Sequence, residues 1–298
     1  MEQRPNPEIL VGIVTLNRRA KLEATLQECS IRGFHRIVVL DNGSTDGTAD
    51  FLRSQPHLHA IVNAHNEGGS SGFNRIMRYF AESTSAQWLL LFDDDAYPTF
   101  SELELRSYLA GDASNNRPAY AFKVTYPGGG LCEMNRPGVN ILDKSPLRAM
   151  LGRFHVADST GGCLVDFASF VGILLRRETV MQSGWVSKQF FLYSDDTYYT
   201  LGISSRLGGI WYCPRFALIH DCNRSSRRLL HHDPARLMRD VANKIVLIRE
   251  YSRFRTSYVL LYIARLILQN PSRCLEILRA CRLGVSADLE LYRNEQPC

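Results

Sequence analysis

The stretch that decides the fold is Trp88-Leu89-Leu90-Leu91-Phe92-Asp93-Asp94-Asp95, a short apolar run followed by three aspartates. Such a run is typical of a buried strand, so the carboxylates emerge together at its carboxyl end, where open α/β sheets bind ligands. Residues i and i+2 of an extended chain point the same way, so Asp93 and Asp95 can hold one divalent cation. Oxygen ligands suit Mg2+ or Mn2+. The alternative is a polar cap where a strand ends.

Three earlier apolar stretches, residues 10–16, 37–40 and 60–63, also end in polar loops. The loops over residues 41–48 and 66–72 are rich in glycine, and helix-like stretches follow them. Strands that alternate with helices indicate parallel βαβ units, whose loops meet at one edge of the sheet. The sequence therefore predicts an α/β, Rossmann-like fold in which helices flank a mostly parallel central sheet, with a nucleotide site at that edge.

Six motifs, in order, resemble those of the inverting glycosyltransferases of family 2, which have a GT-A fold. The motifs are Ile13-Val14-Thr15-Leu16-Asn17-Arg18, Val39-Leu40-Asp41-Asn42-Gly43-Ser44-Thr45-Asp46-Gly47-Thr48, Asn66-Glu67-Gly68-Gly69-Ser70-Ser71-Gly72, Phe92-Asp93-Asp94-Asp95, Phe191-Leu192-Tyr193-Ser194-Asp195-Asp196-Thr197-Tyr198-Tyr199 and Ala217-Leu218-Ile219-His220. They extend over roughly residues 9–222, about three quarters of the chain. Within the family, the chain looks most like the bacterial galactofuranosyl- and rhamnosyltransferases. Its glycine-rich loop departs from theirs at Ser71, where the second glycine pair begins.

The resemblance implies a nucleotide-sugar site at the sheet edge. In it, Asp41 accepts a hydrogen bond from the N3–H of uracil or thymine, and three further residues lie on the nucleotide: Thr15, Asn17 and Arg18. In the glycine-rich loop, the backbone approaches the donor at Asn66, Gly68 and Gly69. The alternative for Asp41-Asn42-Gly43 is a plain turn.

The resemblance also implies a metal centre that takes Mn2+ or Mg2+. Asp93 and Asp95 are its carboxylate ligands, and His220 completes it with a neutral imidazole. Asp94 lies on the ribose or has a structural role. A lone histidine at the end of an apolar stretch is otherwise more often structural. We interpret the pair His231-His232 as solvated.

A second acidic pair, Asp195-Asp196, follows the aromatic run Phe190-Phe191-Leu192-Tyr193. Apolar surroundings raise a carboxyl pKa toward the range that suits a general base. By resemblance, Asp196 removes the proton of the acceptor hydroxyl, and Asp195 orients or binds the acceptor. The family carries an acidic residue and then an arginine after this pair, whereas this chain has Tyr198-Tyr199, with Arg206 as the candidate arginine. The alternative is a helix N-terminus rich in Asp.

Composition is that of an ordinary globular chain, because 45% of its 298 residues are hydrophobic and 22% are charged. We expect a nucleotide-sugar-binding and catalytic domain over residues 1–223 and a basic, largely helical extension over residues 224–298. The amino terminus has no apolar core for a signal peptide, and the eight cysteines form no Cys-x-x-Cys pair. These features predict reduced thiols and a cytoplasmic protein.

The carboxyl-terminal extension has 14 Lys/Arg against 7 Asp/Glu. Its segments show apolar residues at helical spacing, and basic amphipathic helices fit the anionic cytoplasmic face of an inner membrane. The alternatives are packing on the catalytic domain or on a second subunit in a homo-oligomer. No recognition motif accompanies the charge, so nucleic acid is not expected as a partner.

The resulting expectation is a metal-dependent, inverting hexosyltransferase. It transfers galactofuranose from UDP-galactofuranose to a glycan or lipid-linked acceptor in bacterial surface polysaccharide or lipopolysaccharide synthesis. The alternatives are a dTDP-rhamnose-dependent enzyme and a non-catalytic nucleotide-binding scaffold with the same fold. Residues 96–161, which we expect to form acceptor walls, carry too little pattern to place further.

Overall fold

The computed structural model describes residues 7–111, 117–140, 144, 161–222 and 233–296. The pair His231-His232 lies outside these residues. The strands are β1 (Ile9–Thr15), β2 (Ile37–Asp41), β3 (His59–Val62), β4 (Trp88–Asp93), β5 (Ala96–Pro98), β6 (Ala119–Thr125), β7 (Cys163–Val165), β8 (Ile173–Arg176) and β9 (Ile210–His220). The helices are α1 (Arg19–Ile31), α2 (Thr48–Arg53), α3 (Gly69–Ser83), α4 (Glu102–Gly111), α5 (Arg177–Ser183), α6 (Asp195–Leu207), α7 (Pro234–Tyr251), α8 (Arg255–Gln269), α9 (Cys274–Ser286) and α10 (Leu289–Tyr292).

All the strands belong to one sheet, in the order β3-β2-β1-β4-β8-β6-β9-β5, with β7 paired to β9. The four strands at the β3 end run parallel, whereas β8 is antiparallel to both β4 and β6. The predicted α/β fold, with helices beside a central sheet and a helical carboxyl-terminal region, is confirmed. Antiparallel pairing extends that sheet beyond its parallel half.

Hydrophobic cores lie on both faces of the sheet, because alternate side chains of each strand point to opposite faces. On one face, Ile9, Val11 and Ile13 of β1 pack in the same core as residues of α1. On the other face, Leu10 packs in a core with apolar residues of α3 such as Ile76. The sheet is therefore covered on both sides, and its exposed functional edge is the one where the parallel strands end.

Helix α3 is fixed at both ends by other parts of the chain. Its apolar side faces β1 and β2, and Phe73, Ile76, Met77 and Phe80 are buried there. At its carboxyl end, the guanidinium of Arg177 donates to the carbonyls of Phe80 and Ala81 in the last turn, which lack partners within the helix, and to those of Thr84 and Ala86 just beyond it.

The carboxyl-terminal helices form a small core of their own and also contact the rest of the chain. Buried residues of α7 and α9, among them Val241, Ile245 and Ile277, make that core. A further cluster joins Val246 of α7 to Phe190 and Tyr198 in the region of the Asp195-Asp196 pair. In the part of the chain that the structure describes, no helix is both long and apolar enough to cross a membrane.

Candidate active site

The ends of three parallel strands meet at one edge of the sheet. Strand register places Thr15 beside Asp41, and Val14 beside Asp93. Asp41 ends β2 and Asp93 ends β4, so their carboxylates project at the same edge. The acidic positions singled out from the sequence are therefore brought together by the parallel register of β2, β1 and β4.

Asp93, Asp95 and His220 form a three-residue cluster whose ligand atoms all lie within 4.8 Å of one another. His220 Nε2 lies 3.1 Å from Asp95 Oδ1 and 4.0 Å from Asp93 Oδ2. Strand pairing produces this arrangement, because β5 sets Ala96 opposite His220 at the end of β9. The backbone N–H of Asp221 also donates to the Asp95 carbonyl at 2.8 Å.

The donor set of this cluster fits a divalent metal such as Mn2+ or Mg2+, because it offers two carboxylates and one imidazole. The charges of the cluster act on one another in its metal-free form. Burial opposes the charged form of His220, but the hydrogen bond to Asp95 and the neighbouring carboxylates raise its pKa to about 10. Burial among protein atoms raises the pKa of Asp93 to about 7, although 42% of its side chain is exposed. A protonated His220 thus supplies the positive charge that a metal would bring.

Asp94 lies behind this cluster rather than in it. Its carboxylate accepts hydrogen bonds from Thr15 Oγ1 at 2.7 Å and from Arg18 Nη1 at 3.2 Å. Arg18 also donates to Asp95 Oδ2 at 2.6 Å. Both roles expected for Asp94, on the ribose or structural, stay predictions. Thr15 and Arg18, both predicted on the nucleotide, contact this acidic group directly.

Asp41 is fully buried and carries an oxygen without a partner. Its Oδ1 accepts a hydrogen bond from the Ser44 backbone N–H at 3.0 Å, whereas no described residue donates to its Oδ2. Leaving a buried carboxylate oxygen unpaired costs free energy, so such an atom calls for a ligand or water. The turn predicted as an alternative is present. It uses only Oδ1, so it does not account for the unpaired Oδ2.

The loops after β1 and β2 are joined by Asn17, which has a φ of 52°. Its side-chain Oδ1 accepts from the Thr45 N–H at 2.7 Å, and its own N–H donates to Ser44 Oγ at 2.8 Å. The side chain of Asn17, predicted to contact the nucleotide, is thus engaged in shaping the rim around Asp41.

An amide network links the β2 loop to the glycine-rich loop. Asn42 donates to Asn66 Oδ1 at 3.0 Å and accepts from Asn63 and from the Glu67 N–H, both at 3.0 Å. Asn66 Oδ1 also accepts from the Gly68 N–H at 2.9 Å. Asn42 and Asn63 were not among the predicted site residues, and their position just after a strand is the signal that could have found them.

Gly68 joins the glycine-rich loop to the loop that precedes Asp195. It has a φ of 88°, and a Cβ there would lie 2.3 Å from the Phe191 carbonyl oxygen. That same oxygen accepts from the Ser70 N–H at 3.2 Å. The space left by the missing side chain of Gly68 is therefore occupied by Phe191, while Gly69 begins α3 beside Leu192. The Ser71 hydroxyl donates to Glu67 Oε2 at 2.9 Å.

The loop before Asp195 has an unusual backbone, since Phe191, Tyr193 and Ser194 all have φ between 57° and 71°. Such conformations are costly for residues with side chains and persist only where the surroundings hold them. Asn243 of α7, which is buried, donates its Nδ2 to the carbonyls of Phe190, Leu192 and Tyr193 at 2.9, 2.9 and 3.0 Å. No local pattern marked Asn243 as part of the site.

The Asp195-Asp196 pair begins α6 directly after that loop. Burial, followed by the charge of Asp196, raises the pKa of Asp195, and Asp93 adds to the effect. Burial also raises the pKa of Asp196, although the Thr197 N–H donates to its Oδ1 at 2.6 Å. The raised pKa values match the sequence-based expectation, and the influence of Asp93 puts the pair close to the metal cluster.

His220 is oriented from its other side by Asn135, in a 3₁₀ turn over Glu133–Asn135. Asn135 Oδ1 lies 2.7 Å from His220 Nδ1, and its Nδ2 donates to Ser169 Oγ at 2.9 Å. A histidine that binds a metal through one nitrogen usually donates the other N–H to such an acceptor. Asn135 belongs to the region that sequence patterns could not place.

Comparisons with known proteins agree with this geometry. Residues 10–122 match the sequence model of the family described as Glycosyl transferase family 2. No curated protein sequence matches the chain significantly.

Solved structures resemble this chain in fold. S. aureus TarS 1-349 in complex with UDP-GlcNAc matches with a TM-score of 0.53 and 13% identity, over 96% of this chain and 89% of that one. Mannosyltransferase PcManGT from Pyrobaculum calidifontis, in complex with GDP-Man and Mn2+, matches with a TM-score of 0.55 and 17% identity, over 96% and 77%. GalNAc-T7 with UDP, GalNAc and Mn2+ matches with a TM-score of 0.53 and 13% identity. This match covers 72% of this chain but only 43% of GalNAc-T7.

Proposed function

We propose that this family 2 glycosyltransferase of GT-A fold transfers a hexose, with inversion, from a UDP-sugar to a hydroxyl of a glycan or lipid-linked acceptor. The observation that carries the nucleotide assignment is the buried Oδ2 of Asp41, to which no described residue donates. The N3–H of uracil is a donor that can pair with it. In the sheet, β1 lies between β2, which ends at Asp41, and β4, which ends at Asp93. A nucleobase bound at Asp41 therefore directs its diphosphate toward the metal cluster.

The diphosphate end of the donor meets Asp93, Asp95 and His220, the residues that would hold Mn2+ or Mg2+. A cation bound there neutralises charge that builds on the departing diphosphate. Arg18, half exposed beside Asp94 and Asp95, presents a second positive group on the same rim. These side chains orient the donor so that its anomeric carbon faces the Asp195-Asp196 pair.

Asp196 acts as the general base in this proposal. The proton of the acceptor hydroxyl passes to its carboxylate while the hydroxyl oxygen bonds to the anomeric carbon. The bond from that carbon to the diphosphate breaks on the opposite face, and UDP leaves with the bonding electrons. One base is enough for such a displacement, and a raised pKa suits the task. Asp195 orients the acceptor.

For the sugar, we infer galactofuranose and a role in bacterial surface polysaccharide synthesis, on the strength of the motif resemblance. The donor dTDP-rhamnose is the second candidate, because thymine carries the same N3–H. Among the structures of similar fold, TarS holds UDP-GlcNAc and GalNAc-T7 holds UDP, whereas PcManGT holds GDP-Man. A non-catalytic scaffold is disfavoured, because it has no need of a metal cluster or of a second acidic pair with raised pKa.

We also propose that the carboxyl-terminal helices attach the protein to an anionic membrane surface. Helices α8 and α9 expose leucines with arginines beside them, and we call this set the leucine–arginine face: Leu260, Leu261, Arg265, Leu268, Leu275, Leu278, Arg279, Arg282 and Leu283. Exposed apolar side chains among basic ones suit a surface that is both apolar and negatively charged. At that membrane surface the protein would meet a lipid-linked acceptor.

Calorimetric titration of the purified chain with UDP, dTDP and GDP, with and without Mn2+, tests the nucleotide and metal assignments. We expect Mn2+-dependent binding of UDP that weakens about tenfold or more in Asp41→Asn, which removes one acceptor oxygen from the base pocket. Asp95→Ala should lose the dependence on Mn2+. Asp50→Asn, an exposed carboxylate on α2, is the matched control and should bind as the wild type does.

Each outcome of that titration has one meaning. A preference for dTDP would replace galactofuranose by rhamnose, and a preference for GDP would overturn the uracil assignment. Binding of no nucleotide would favour the scaffold. Once UDP binding is established, transfer from UDP-galactofuranose to a glycan acceptor is measured by the release of UDP, and the anomeric configuration of the product decides between inversion and retention.

A further inference from the structure

Three sulfur atoms lie behind His220, on the side away from Asp93 and Asp95. Cys132 Sγ is 3.9 Å from His220 Nδ1 and 4.0 Å from Cys222 Sγ, and Cys222 Sγ is 3.6 Å from Met134 Sδ. Cys132, Cys222 and His220 each offer one ligand atom, and these atoms all lie within 4.8 Å of one another. We call this group the thiol cluster. Asn135 Oδ1 lies among its ligand atoms, because it accepts from Cys132 Sγ at 3.0 Å and is 2.7 Å from His220 Nδ1.

We propose that the thiol cluster is a second metal site, which takes a thiophilic divalent cation such as Zn2+ on Cys132 Sγ, Cys222 Sγ and His220 Nδ1. Two thiolates and one imidazole with an open fourth position are a zinc donor set, with bonds of about 2.3 Å to sulfur and about 2.0 Å to nitrogen. Two sulfurs on one tetrahedral zinc stand about 3.8 Å apart, so the observed 4.0 Å needs only a slight closure.

The chemistry of this site differs from that of the carboxylate cluster on the other side of the same imidazole. Sulfur ligands select soft cations, whereas the oxygens of Asp93 and Asp95 suit Mn2+ or Mg2+. Cys222 is only half buried and Met134 is exposed, so an ion can reach the cluster from the surface. On binding, each thiol and the Nδ1–H of the His220 imidazolium release a proton to solvent and keep their electron pairs for the metal, with no change of oxidation state.

Sharing His220 makes the two sites compete. A metal on Nδ1 displaces Asn135 Oδ1, which now lies 2.7 Å from that nitrogen. It leaves the proton on Nε2, where it is donated to Asp95 Oδ1 at 3.1 Å, an arrangement typical of zinc-bound histidines. A metal on Nε2 instead needs the proton on Nδ1, donated to Asn135 Oδ1 at 2.7 Å. A neutral imidazole has one proton, so Zn2+ at the thiol cluster should remove a ligand from the carboxylate cluster. This second step rests on the proposed function.

Cobalt titration tests the site itself without any use of activity. The reduced full-length chain is titrated with Co2+, whose bonds to thiolate give a charge-transfer absorption in the near ultraviolet, and Zn2+ is then added to displace it. We expect one equivalent of Co2+ to give this band in the wild type and in Cys274→Ser, a half-buried cysteine on α9 that serves as control. Cys132→Ser and Cys222→Ser should each lose at least about tenfold in affinity, and their double variant should lose the band.

The competition is tested by Mn2+-dependent binding of UDP with and without one equivalent of Zn2+. Zn2+ should weaken UDP binding at least about fivefold in the wild type and not in the double variant, in which Mn2+-dependent binding persists. A band that survives in the double variant, or a wild type that forms only a Cys132–Cys222 disulfide and binds no cation, overturns the site. If the band is present but Zn2+ leaves UDP binding unchanged, the competition is wrong. Failure of the proposed function alone would leave the cobalt result intact.

Discussion

Asp195 and Asp196 are adjacent in the chain, yet their surroundings differ. Asp195 is buried and takes the larger part of its pKa shift from desolvation and from the charge of Asp196. Asp196 is more open and is steadied by hydrogen bonds from Thr197. The more accessible carboxylate is the one that can meet an acceptor hydroxyl, and burial raises its pKa. This division of roles agrees with the assignment of Asp196 as base.

The base assignment predicts that Asp196→Asn lowers the rate of transfer by about 10²- to 10⁴-fold, the range that general bases contribute. Donor binding should change by less than roughly twofold, because no donor contact is removed. The rate is measured by the release of UDP in the presence of acceptor, and binding is measured by calorimetry with UDP and Mn2+. Near-normal transfer by this variant would move the role to another carboxylate.

Burial of Asp195 predicts a stability that depends on pH. Its folded pKa of about 8 lies above the unfolded value of about 3.9, so its burial costs nothing below pH 3.9 or so. Stability is then lost progressively as pH rises from the unfolded pKa to the folded one. Asp195→Asn removes the charge and should stabilise the fold at pH 8 by on the order of 1–2 kcal/mol, with no gain near pH 3.5. Thermal unfolding at both pH values measures this. An equal change in stability at pH 8 and near pH 3.5 would contradict the electrostatic cause.

Single residues also show how far the sequence predicts the site. The ends of β1, β2 and β4 bring Thr15, Asp41 and Asp93 together, and such convergence follows from strand periodicity and parallel pairing alone. Asn135 and Asn243 reach the site through side-chain hydrogen bonds to residues 85 and about 50 positions away in the chain. A contact of that kind leaves no periodic pattern, so only the folded structure reveals it.

At the scale of elements, the glycine-rich loop and the loop before Asp195 form one unit. The backbone of Phe191 fills the space beside Gly68, so the glycine-rich loop and the loop before Asp195 are in direct contact. Ser71, where the sequence departs from the glycine-rich pattern that it resembles, donates its hydroxyl to Glu67, just before α3.

Gly68→Ala should therefore displace the loop before Asp195. The new Cβ meets Phe191 at 2.3 Å, and the φ of 88° adds strain of about 1–3 kcal/mol. We expect transfer to fall at least about tenfold. Gly33→Ala is the matched control, since Gly33 has a φ of 81° with nothing within 4 Å of its Cβ position. Equal losses of transfer in the two variants would show that backbone strain alone, and not the contact with Phe191, is responsible.

Helix α7 acts on the same loop from the opposite side through Asn243. Asn243→Ala removes a donor from three carbonyls of a strained, half-buried loop, of which Phe190 O keeps the Leu192 N–H, at a cost of about 1–3 kcal/mol. We expect kcat to fall about tenfold or more while the Kd for UDP stays within roughly twofold, because the loop presents Asp195-Asp196 and not the base pocket. Lys244→Ala, the exposed neighbour on α7, is the control. A proportional loss of UDP binding would indicate general unfolding instead.

The pairing of strands β8, β6 and β9, in the second half of the sheet, could not be predicted from the sequence. Strands β1 to β4 each end in a polar loop and alternate with helices, which is the signature of parallel units. Strands β8, β6 and β9 pair across long separations, with a register shift between Phe122 and Lys123. Their direction depends on tertiary packing around the sheet, and short apolar runs do not encode it.

At the scale of the whole molecule, charge and apolar surface are concentrated at the carboxyl-terminal end. Residues 224–298 carry a net charge of +7, from 14 basic and 7 acidic residues, while the whole chain carries +5. The leucine–arginine face belongs to this region, and α7 of the same region holds the loop before Asp195. Contact with the catalytic part and attachment to a membrane are therefore compatible, because α7 serves the first and the exposed sides of α8 and α9 serve the second.

The membrane proposal predicts binding to vesicles that contain phosphatidylglycerol, and weaker binding to phosphatidylcholine alone, as measured by cosedimentation. Each basic residue near an anionic surface contributes about 1 kcal/mol, and salt screens this attraction. Arg279→Gln with Arg282→Gln should lower binding to anionic vesicles about tenfold or more and reduce its dependence on salt. Leu260→Gln with Leu268→Gln should weaken binding to both kinds of vesicle, because the apolar contact is lost. Leu103→Gln, on the exposed side of α4, is the control. Binding that ignores lipid charge, or that survives both double substitutions, would assign the leucine–arginine face to a protein partner such as a second copy of this chain.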